Sequence, residues 1–270
     1  ETVIIAIVDT GVDLLHPDLK NKIKNSGRDF INNDFDATDD HGHGTVVAGI
    51  AAAETNNNEG IAGVAWNSKI LPVKVTDKDG IGPEDKVAEG IRWAVDNGAN
   101  VINLSMGSEE PTFLIRDAVK YAYDKNVVVV VSAGNNNGPV NYPAAYDDYV
   151  LAVAATDYND NRTSWSSYGP QVDVAAPGDK VLGPYPVALT PAGFFPYLPG
   201  TGTSFSAPHV AGLAALIKGL KPWLKVADIM NVIRYSADDV NAAQFKGRDD
   251  YIGYGRINME KALVPIKIIQ

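Results

Sequence analysis

No cysteine occurs among the 270 residues, which removes disulfides, thiolate chemistry and cysteine-ligated metals together. Packing, hydrogen bonds or oxygen-bound ions must hold the fold, and the redox compartment stays open. Positive charge is scarce as well: 23 Lys and Arg face 33 Asp and Glu, for a net charge of −10. Such a surface repels phosphate backbones, so no nucleic-acid partner is expected, whereas cation binding is favoured. Long apolar runs are missing too. Even the Val block at 127–131 stops at Ser132, far short of the roughly 18–20 residues of a membrane span, and no membrane partner is expected. The chain opens directly on the apolar stretch 2–8, without a basic flank or a cleavage site. It is therefore expected to be a processed form or a fragment.

What is present suffices for a large core, since 45% of the residues are hydrophobic, and one domain over residues 1–270 is expected. Val/Ile-rich runs at 3–8, 69–75, 101–104, 127–131 and 150–154 predict buried strands. Helix-period segments predict helices over 44–53, 83–97, 112–125, 204–218 and 225–236. Their alternation predicts an α/β fold: a mainly parallel central sheet with helices on both faces. Functional groups then belong just beyond the strand ends. The Gly/Pro-rich stretch 177–202 has no period and predicts an irregular functional loop or lid. Residues 264–270 read as the start of a connection in a longer precursor.

Four histidines limit the search for a general base. His209 follows Ser204 on the same predicted helix, about 140° round it, and cannot turn back to that hydroxyl. His16, in Leu15-His16-Pro17-Asp18, reads as a turn residue. The remaining pair, His41-x-His43, offers a metal only two nitrogens, and no His-Glu-x-x-His occurs. Gly42 and Gly44 bracket His43 at a helix start, leaving its imidazole unobstructed, so His43 is the better base. Ser204 lies where the small residues 200–203 enter an apolar helix, so free amide N–H groups and the helix dipole could stabilise an oxyanion beside its hydroxyl. A plain N-cap is the alternative. Asp9 ends the first strand and can orient an imidazole, although a structural turn Asp would look similar. Ser132-Ala133-Gly134-Asn135 places an amide beyond another strand end as an oxyanion donor.

These segments resemble the signature blocks of the subtilase family: Ala6-Ile7-Val8-Asp9-Thr10-Gly11, His43-Gly44-Thr45-Val46-Val47-Ala48-Gly49, Ser132-Ala133-Gly134-Asn135 and Gly202-Thr203-Ser204, nearest to thermitase-type bacterial members. The resemblance implies a serine endopeptidase with Asp9, His43 and Ser204 as its triad and Asn135 as oxyanion donor. It further implies substrate pairing with Gly80-Ile81-Gly82 and Ser105-Met106-Gly107, and an S1 pocket walled also by Ala133 and Gly134, with Asn141 near its base. With no acid at that base, large apolar or aromatic P1 residues are expected, and Glu84 near S4 would admit some basic character. Val46 and Phe205 depart from the family's usual residues, and Phe205 is expected to narrow the leaving-group side.

Calcium is implied by the same resemblance. Asp29, Asn32, Asp34, Asp36 and Thr38 match a thermitase calcium loop, with a solvated acidic turn as the alternative. A second site would use Asp18, Asn57, Glu59 and the carbonyls of Glu54 and Ile61; the N-terminal arm that supplies one of its ligands in relatives is not matched. Polypeptide substrates, an inhibitory propeptide in the precursor and an extracellular location follow from family habit. An esterase of the α/β-hydrolase class needs a Gly-x-Ser-x-Gly elbow, and none exists. A catalytically inactive peptide-binding module is the non-enzymatic alternative.

Overall fold

Strand β1 (Ile4–Asp9) shows how the sequence builds the frame: Ile5 and Ile7 enter one hydrophobic core, Ala6 and Val8 the other. A strand buried on both faces needs apolar residues at every position, which is why these strands read as continuous runs rather than alternating ones. The computed structural model describes residues 2–25 and 27–264. Its seven-stranded sheet has the order β2-β3-β1-β4-β5-β6-β7 and is parallel throughout. The other strands are β2 (Arg28–Asp29), β3 (Lys69–Lys74), β4 (Val101–Leu104), β5 (Val128–Ser132), β6 (Leu151–Thr156) and β7 (Val172–Pro177).

Helices α1 (His43–Ala52), α4 (Thr203–Leu220) and α5 (Val226–Ser236) pack into the first core, and α2 (Glu84–Asp96) and α3 (Phe113–Asp124) into the second. The last short helix is α6 (Met259–Leu263). From β1 the chain moves to β3 on one side and then returns to β4 on the other. The loops leaving β1 and β4 therefore diverge, opening a crevice at the C-terminal strand ends. Asp9 closes β1, Ser105 follows β4, and Asn135 lies just past β5.

The predicted strands and helices occur within a few residues of their expected limits. β7 was not predicted, because Asp173 interrupts its apolar pattern. This buried carboxylate accepts hydrogen bonds from the Ala152 N–H (2.8 Å) and Arg234 Nε (2.7 Å). Burial pushes its pKa up to about 6 although Arg234 pulls the other way. Nor is 177–202 irregular: β8 (Val181–Pro184) pairs antiparallel with β9 (Tyr197–Gly200), with a 3-10 turn at Val187–Leu189 between them. The connection read into 264–270 falls on residues 265–270, outside those described.

Candidate active site

Asp9 is buried at the end of β1, and its Oδ1 accepts hydrogen bonds from the Thr10 N–H (2.8 Å) and from His43 Nδ1 (2.7 Å). The imidazole therefore carries its hydrogen on Nδ1 and presents the Nε2 lone pair to the crevice. Burial of the ring opposes its charge. The Asp9 carboxylate, through charge and hydrogen bond, and the nearby Asp39 charge outweigh that effect and raise the pKa above that of an ordinary histidine.

The start of α1 is fixed by a residue that sequence reasoning missed. Gly42, with φ 108°, has no side chain to cap the helix, and a Cβ there would lie 2.3 Å from the Tyr185 ring. Buried Asp39 takes over the capping. Its Oδ1 accepts from the N–H groups of His41 (3.0 Å) and Gly42 (2.8 Å) and from Thr10 Oγ1 (2.8 Å). Its Oδ2 accepts from the N–H (3.0 Å) and Oγ1 (2.6 Å) of Thr45. Thr10 Oγ1 in turn accepts from the Gly44 N–H (2.9 Å). The base and the strand that orients it are thereby one unit. An acid three residues ahead of a cap glycine was the available signal.

Ser204 is the second residue of α4. Pro208 in that helix lacks the N–H that would reach the Ser204 carbonyl. Ser105 Oγ donates there instead, at 2.7 Å, while accepting from Asn103 Nδ2 at 2.8 Å. The Ser204 hydroxyl donates to the Ser105 carbonyl at 3.1 Å. Among the described residues no hydrogen bond joins it to His43; the hydroxyl would leave the Ser105 carbonyl by turning about the Ser204 Cα–Cβ bond. The Phe205 ring sits 5.4 Å from that of His43, centroid to centroid.

Asn135 Oδ1 accepts from the Thr203 N–H (2.8 Å) and from Thr203 Oγ1 (2.9 Å). Its Nδ2 is consequently turned away and has no hydrogen-bond partner among the described residues. With the Ser204 N–H, one of the first amides of α4, it can receive an oxyanion.

The other two histidines lie elsewhere. His16, fully buried, donates from Nε2 to the Pro196 carbonyl (3.1 Å) and accepts the Asp18 N–H at Nδ1 (3.1 Å). His209 Nδ1 donates to the Phe205 carbonyl (2.9 Å), and burial pushes its pKa down to about 4.

A cavity of about 380 Å³ is lined by Met106, Gly107, Gly134, Asn135, Asn141 and Ser204. Its walls are joined by main-chain hydrogen bonds between Ser108 and Tyr142 (2.9 and 2.8 Å) and from the Asn141 N–H to the Ala133 carbonyl (2.9 Å). Gly134, at φ 116°, has no room for a side chain, since a Cβ would lie 2.9 Å from Asn141 Cγ. Glu109, unanticipated, stands exposed at the lining and accepts from Asn136 Nδ2 (2.8 Å).

Gly80 borders His41, whose Nε2 would be 3.4 Å from a Cβ there. The expectation for Ile81 needs correcting. Its N–H bonds Asp77 Oδ1 (3.0 Å) and its carbonyl the Asp77 N–H (3.0 Å), so neither is free for a substrate strand. The Gly80 carbonyl and both main-chain groups of Gly82 have no partner among the described residues.

In the acidic loop each carboxylate takes local donors. Asp29 accepts from the N–H groups of Ile31 (2.6 Å) and Asn32 (2.9 Å) and from Asn32 Nδ2 (2.9 Å). Asp34 accepts the Asp36 N–H (2.9 Å), and Asp36 accepts Thr38 Oγ1 (2.6 Å). At the second place Asp18, fully buried, accepts from Asn57 Nδ2 (2.8 Å) and the Ile61 N–H (3.1 Å). Glu54 accepts from Asn21 Nδ2 at 2.9 Å. The Tyr197 hydroxyl, buried without a hydrogen-bond partner, has its ionisation pushed up by burial and by the charges of Asp18 and Glu59. Among the described residues no three His, Asp or Glu side chains converge as a metal cluster.

A serine at a helix N-terminus, set against a carboxylate-held imidazole across the switch point of a parallel sheet, is the arrangement of a subtilisin-like site. Residues 1–255 match the subtilase family, and the chain belongs to it. It is 44% identical to the thermophilic serine proteinase of Bacillus sp. strain AK1, over 96% of this chain and 61% of that protein. To thermitase of Thermoactinomyces vulgaris it is 45% identical, over 96% of this chain and 88% of that protein. Among solved structures, fervidolysin from Fervidobacterium pennivorans, a keratinolytic enzyme related to subtilisin, is similar with a TM-score of 0.87 and 35% identity. That likeness covers 97% of this chain and 42% of the other.

Proposed function

We propose that this chain hydrolyses internal peptide bonds of proteins through an acyl-enzyme. The carrying observation is the 2.7 Å contact of His43 with buried Asp9, beside a serine at a helix N-terminus. After its rotation, Ser204 Oγ attacks the scissile carbonyl while His43 Nε2 takes its proton, and Asp9 stabilises the imidazolium. Asn135 Nδ2 and the Ser204 N–H receive the oxyanion. His43 then protonates the leaving amine, and water repeats the sequence on the ester. The acyl side of the substrate pairs with Gly82 and with the free main chain near Gly107. The cavity between Gly107 and Gly134 takes a large apolar or aromatic P1 side chain, and Glu109 at its rim adds tolerance for a basic one.

Calcium, an inhibitory propeptide and secretion belong to the same reading. Asp18 fits a cation: its buried carboxylate meets only neutral donors, and the adjacent Tyr197 hydroxyl lacks a partner. Glu59, Asn57 and the carbonyls of Glu54 and Ile61 would complete that site. The oxygens of Asp29, Asn32, Asp34, Asp36 and Thr38 retain lone pairs beyond their local hydrogen bonds and fit the same hard ion. Bound Ca²⁺ would neutralise these carboxylates and tie their loops together.

The test is a serine-directed phosphonate bearing an aromatic P1 group, followed by peptide mass spectrometry. Labelling confined to the Ser204 peptide and lost in Ser204→Ala, together with hydrolysis of a peptide anilide, is expected. A folded chain that neither labels nor cleaves would instead support the inactive peptide-binding module.

A further inference from the structure

From Val181 to Gly200 the chain carries no charged residue, although its net charge is −10. Phe194 and Phe195, in the loop of this β8–β9 hairpin just ahead of β9, are 74% and 86% exposed. Val187 and Leu189 on the hairpin, and Leu15 on the turn it touches, are exposed as well. Single exposed apolar residues need no explanation, but a neutral apolar crest on an acidic protein does.

The crest is held in shape. The Tyr185 N–H bonds the Pro196 carbonyl (2.7 Å), the Tyr197 N–H that of Phe195 (2.8 Å), and the Phe194 N–H that of Pro191 (3.1 Å). The Val187 N–H donates to Asp13 Oδ2 at 2.9 Å, and the Asp13 N–H donates in turn to Thr45 Oγ1 at 2.9 Å. An ordered surface loses little entropy when it binds.

Its base also joins the reacting groups. The Tyr185 ring covers Gly42, the residue before His43, and Gly200 packs on the Phe205 ring, which faces His43. His43 must protonate the leaving amine, so the departing half of the substrate passes on the His43 and Phe205 side. The S1 cavity is lined by Asn135 and Gly134 and by neither His43 nor Phe205. Any chain continuing beyond the scissile bond therefore runs toward the hairpin.

We propose that the 181–200 hairpin is an apolar docking surface for the leaving-group side of protein substrates, with Phe194 and Phe195 as its anchors. The inference rests on the endopeptidase reading above. A lipid surface fits less well, because the hairpin has no Lys or Arg to engage anionic headgroups and the whole chain is acidic.

The experiment compares the unaltered protein with a Phe194→Ser/Phe195→Ser variant on three substrates sharing one acyl side: an anilide with nothing beyond the scissile bond, a peptide continuing Leu-Phe-Leu, and one continuing Ser-Gly-Ser. The unaltered protein should favour the apolar continuation by about tenfold or more in kcat/KM, the worth of burying about one large apolar side chain. The variant should lose that preference and keep its anilide kinetics. Trp223→Ser, an exposed aromatic beyond the far end of α4, should change nothing. A preference that survives in the variant, or an equal loss on all three substrates, overturns the proposal. So does binding of the unaltered protein to phosphatidylcholine vesicles without any substrate preference, which reassigns the crest to lipid. If the unaltered protein cleaves no substrate at all, the endopeptidase reading fails first and this one falls with it.

Discussion

Replacing Ser105 by Ala removes one oxygen atom that serves two partners at once, buried Asn103 and half-buried Ser204. Its hydroxyl donates to the Ser204 carbonyl, which Pro208 has deprived of a helical N–H, and accepts from Asn103 Nδ2. Asn103 is fully buried and Ser105 only 4% exposed, so water does not readily take over the Asn103 bond. Each orphaned group costs about 1–3 kcal/mol, which gives about 2–6 kcal/mol of lost stability for the pair. Asn103 Oδ1 already has no partner, so the amide cannot simply turn over to recover one. The main chain of the nucleophile also loses its tether to the S1 wall. A shift of this kind lowers kcat by about 10–10² and leaves KM nearly unchanged, because the substrate-pairing main chain survives.

Denaturant midpoints and steady-state kinetics on one anilide read both effects. Ser108→Ala, which removes an exposed hydroxyl bound to the Glu110 carbonyl on the same segment, is the control and should stay within about 0.5 kcal/mol. If Ser105→Ala matches that control in both midpoint and kcat, the hydroxyl is a bystander and the tether argument is wrong.

Asn135→Ala should lower kcat by about 10²–10³ with little change in KM, since its Nδ2 matters once charge develops on the carbonyl oxygen; a mainly KM effect would move it into substrate binding. Because His43 must be neutral to act and its pKa is raised, kcat/KM should rise through a pH above the ordinary histidine value of about 6.5. Asp9→Asn should move that limb to lower pH and cut kcat by roughly 10⁴-fold, and an unmoved limb would remove Asp9 from the account. His209 has a depressed pKa of about 4, so its contribution is complete above about pH 6.5 and is lost as pH falls toward 4. That loss, up to about 3 kcal/mol, should disappear from the pH dependence of the unfolding free energy in His209→Gln. Chelation of Ca²⁺ should lower the thermal midpoint, by about 2.7 kcal/mol of stability when the ion stood at a hundredfold excess over its dissociation constant, and Asp18→Asn should blunt the response; an unchanged midpoint after equilibration contradicts calcium binding.

Strands whose neighbours lie on both sides announce themselves as Val/Ile runs, and the short motifs at their ends are local in sequence. Hence Asp9, His43, Ser204 and Asn135, singled out separately, stand round one crevice. What stayed hidden depends on partners far along the chain. Asp39 looks like one more acid in an acidic stretch until Thr10 and Thr45 close on it. Ser105 looks like a substrate-segment residue until its hydroxyl meets the Ser204 carbonyl, 99 positions away. β7 is obscured by Asp173, whose tolerance depends on Arg234. The 181–200 hairpin lacks alternation because Pro and Gly occupy positions that would otherwise reveal its pairing, as Leu182 opposite Pro199 and Gly183 opposite Leu198 show.

A chain without disulfides must still hold two reacting side chains from distant segments in register, and the fold does so by placing both at the N-termini of helices with almost no solvent face. From Gly44 onward every residue of α1 is buried, and most of α4 is. Such helices cannot tilt or fray without exposing the first core to water. The same burial explains why neither helix shows an amphipathic pattern and why each needs help from outside at its start. Asp39 and Thr10 supply it for α1, Asn135 and Ser105 for α4. In α4 that help comes from residues beside the cavity between Gly107 and Gly134, so the placement of Ser204 and the shape of that cavity are set by the same few hydrogen bonds.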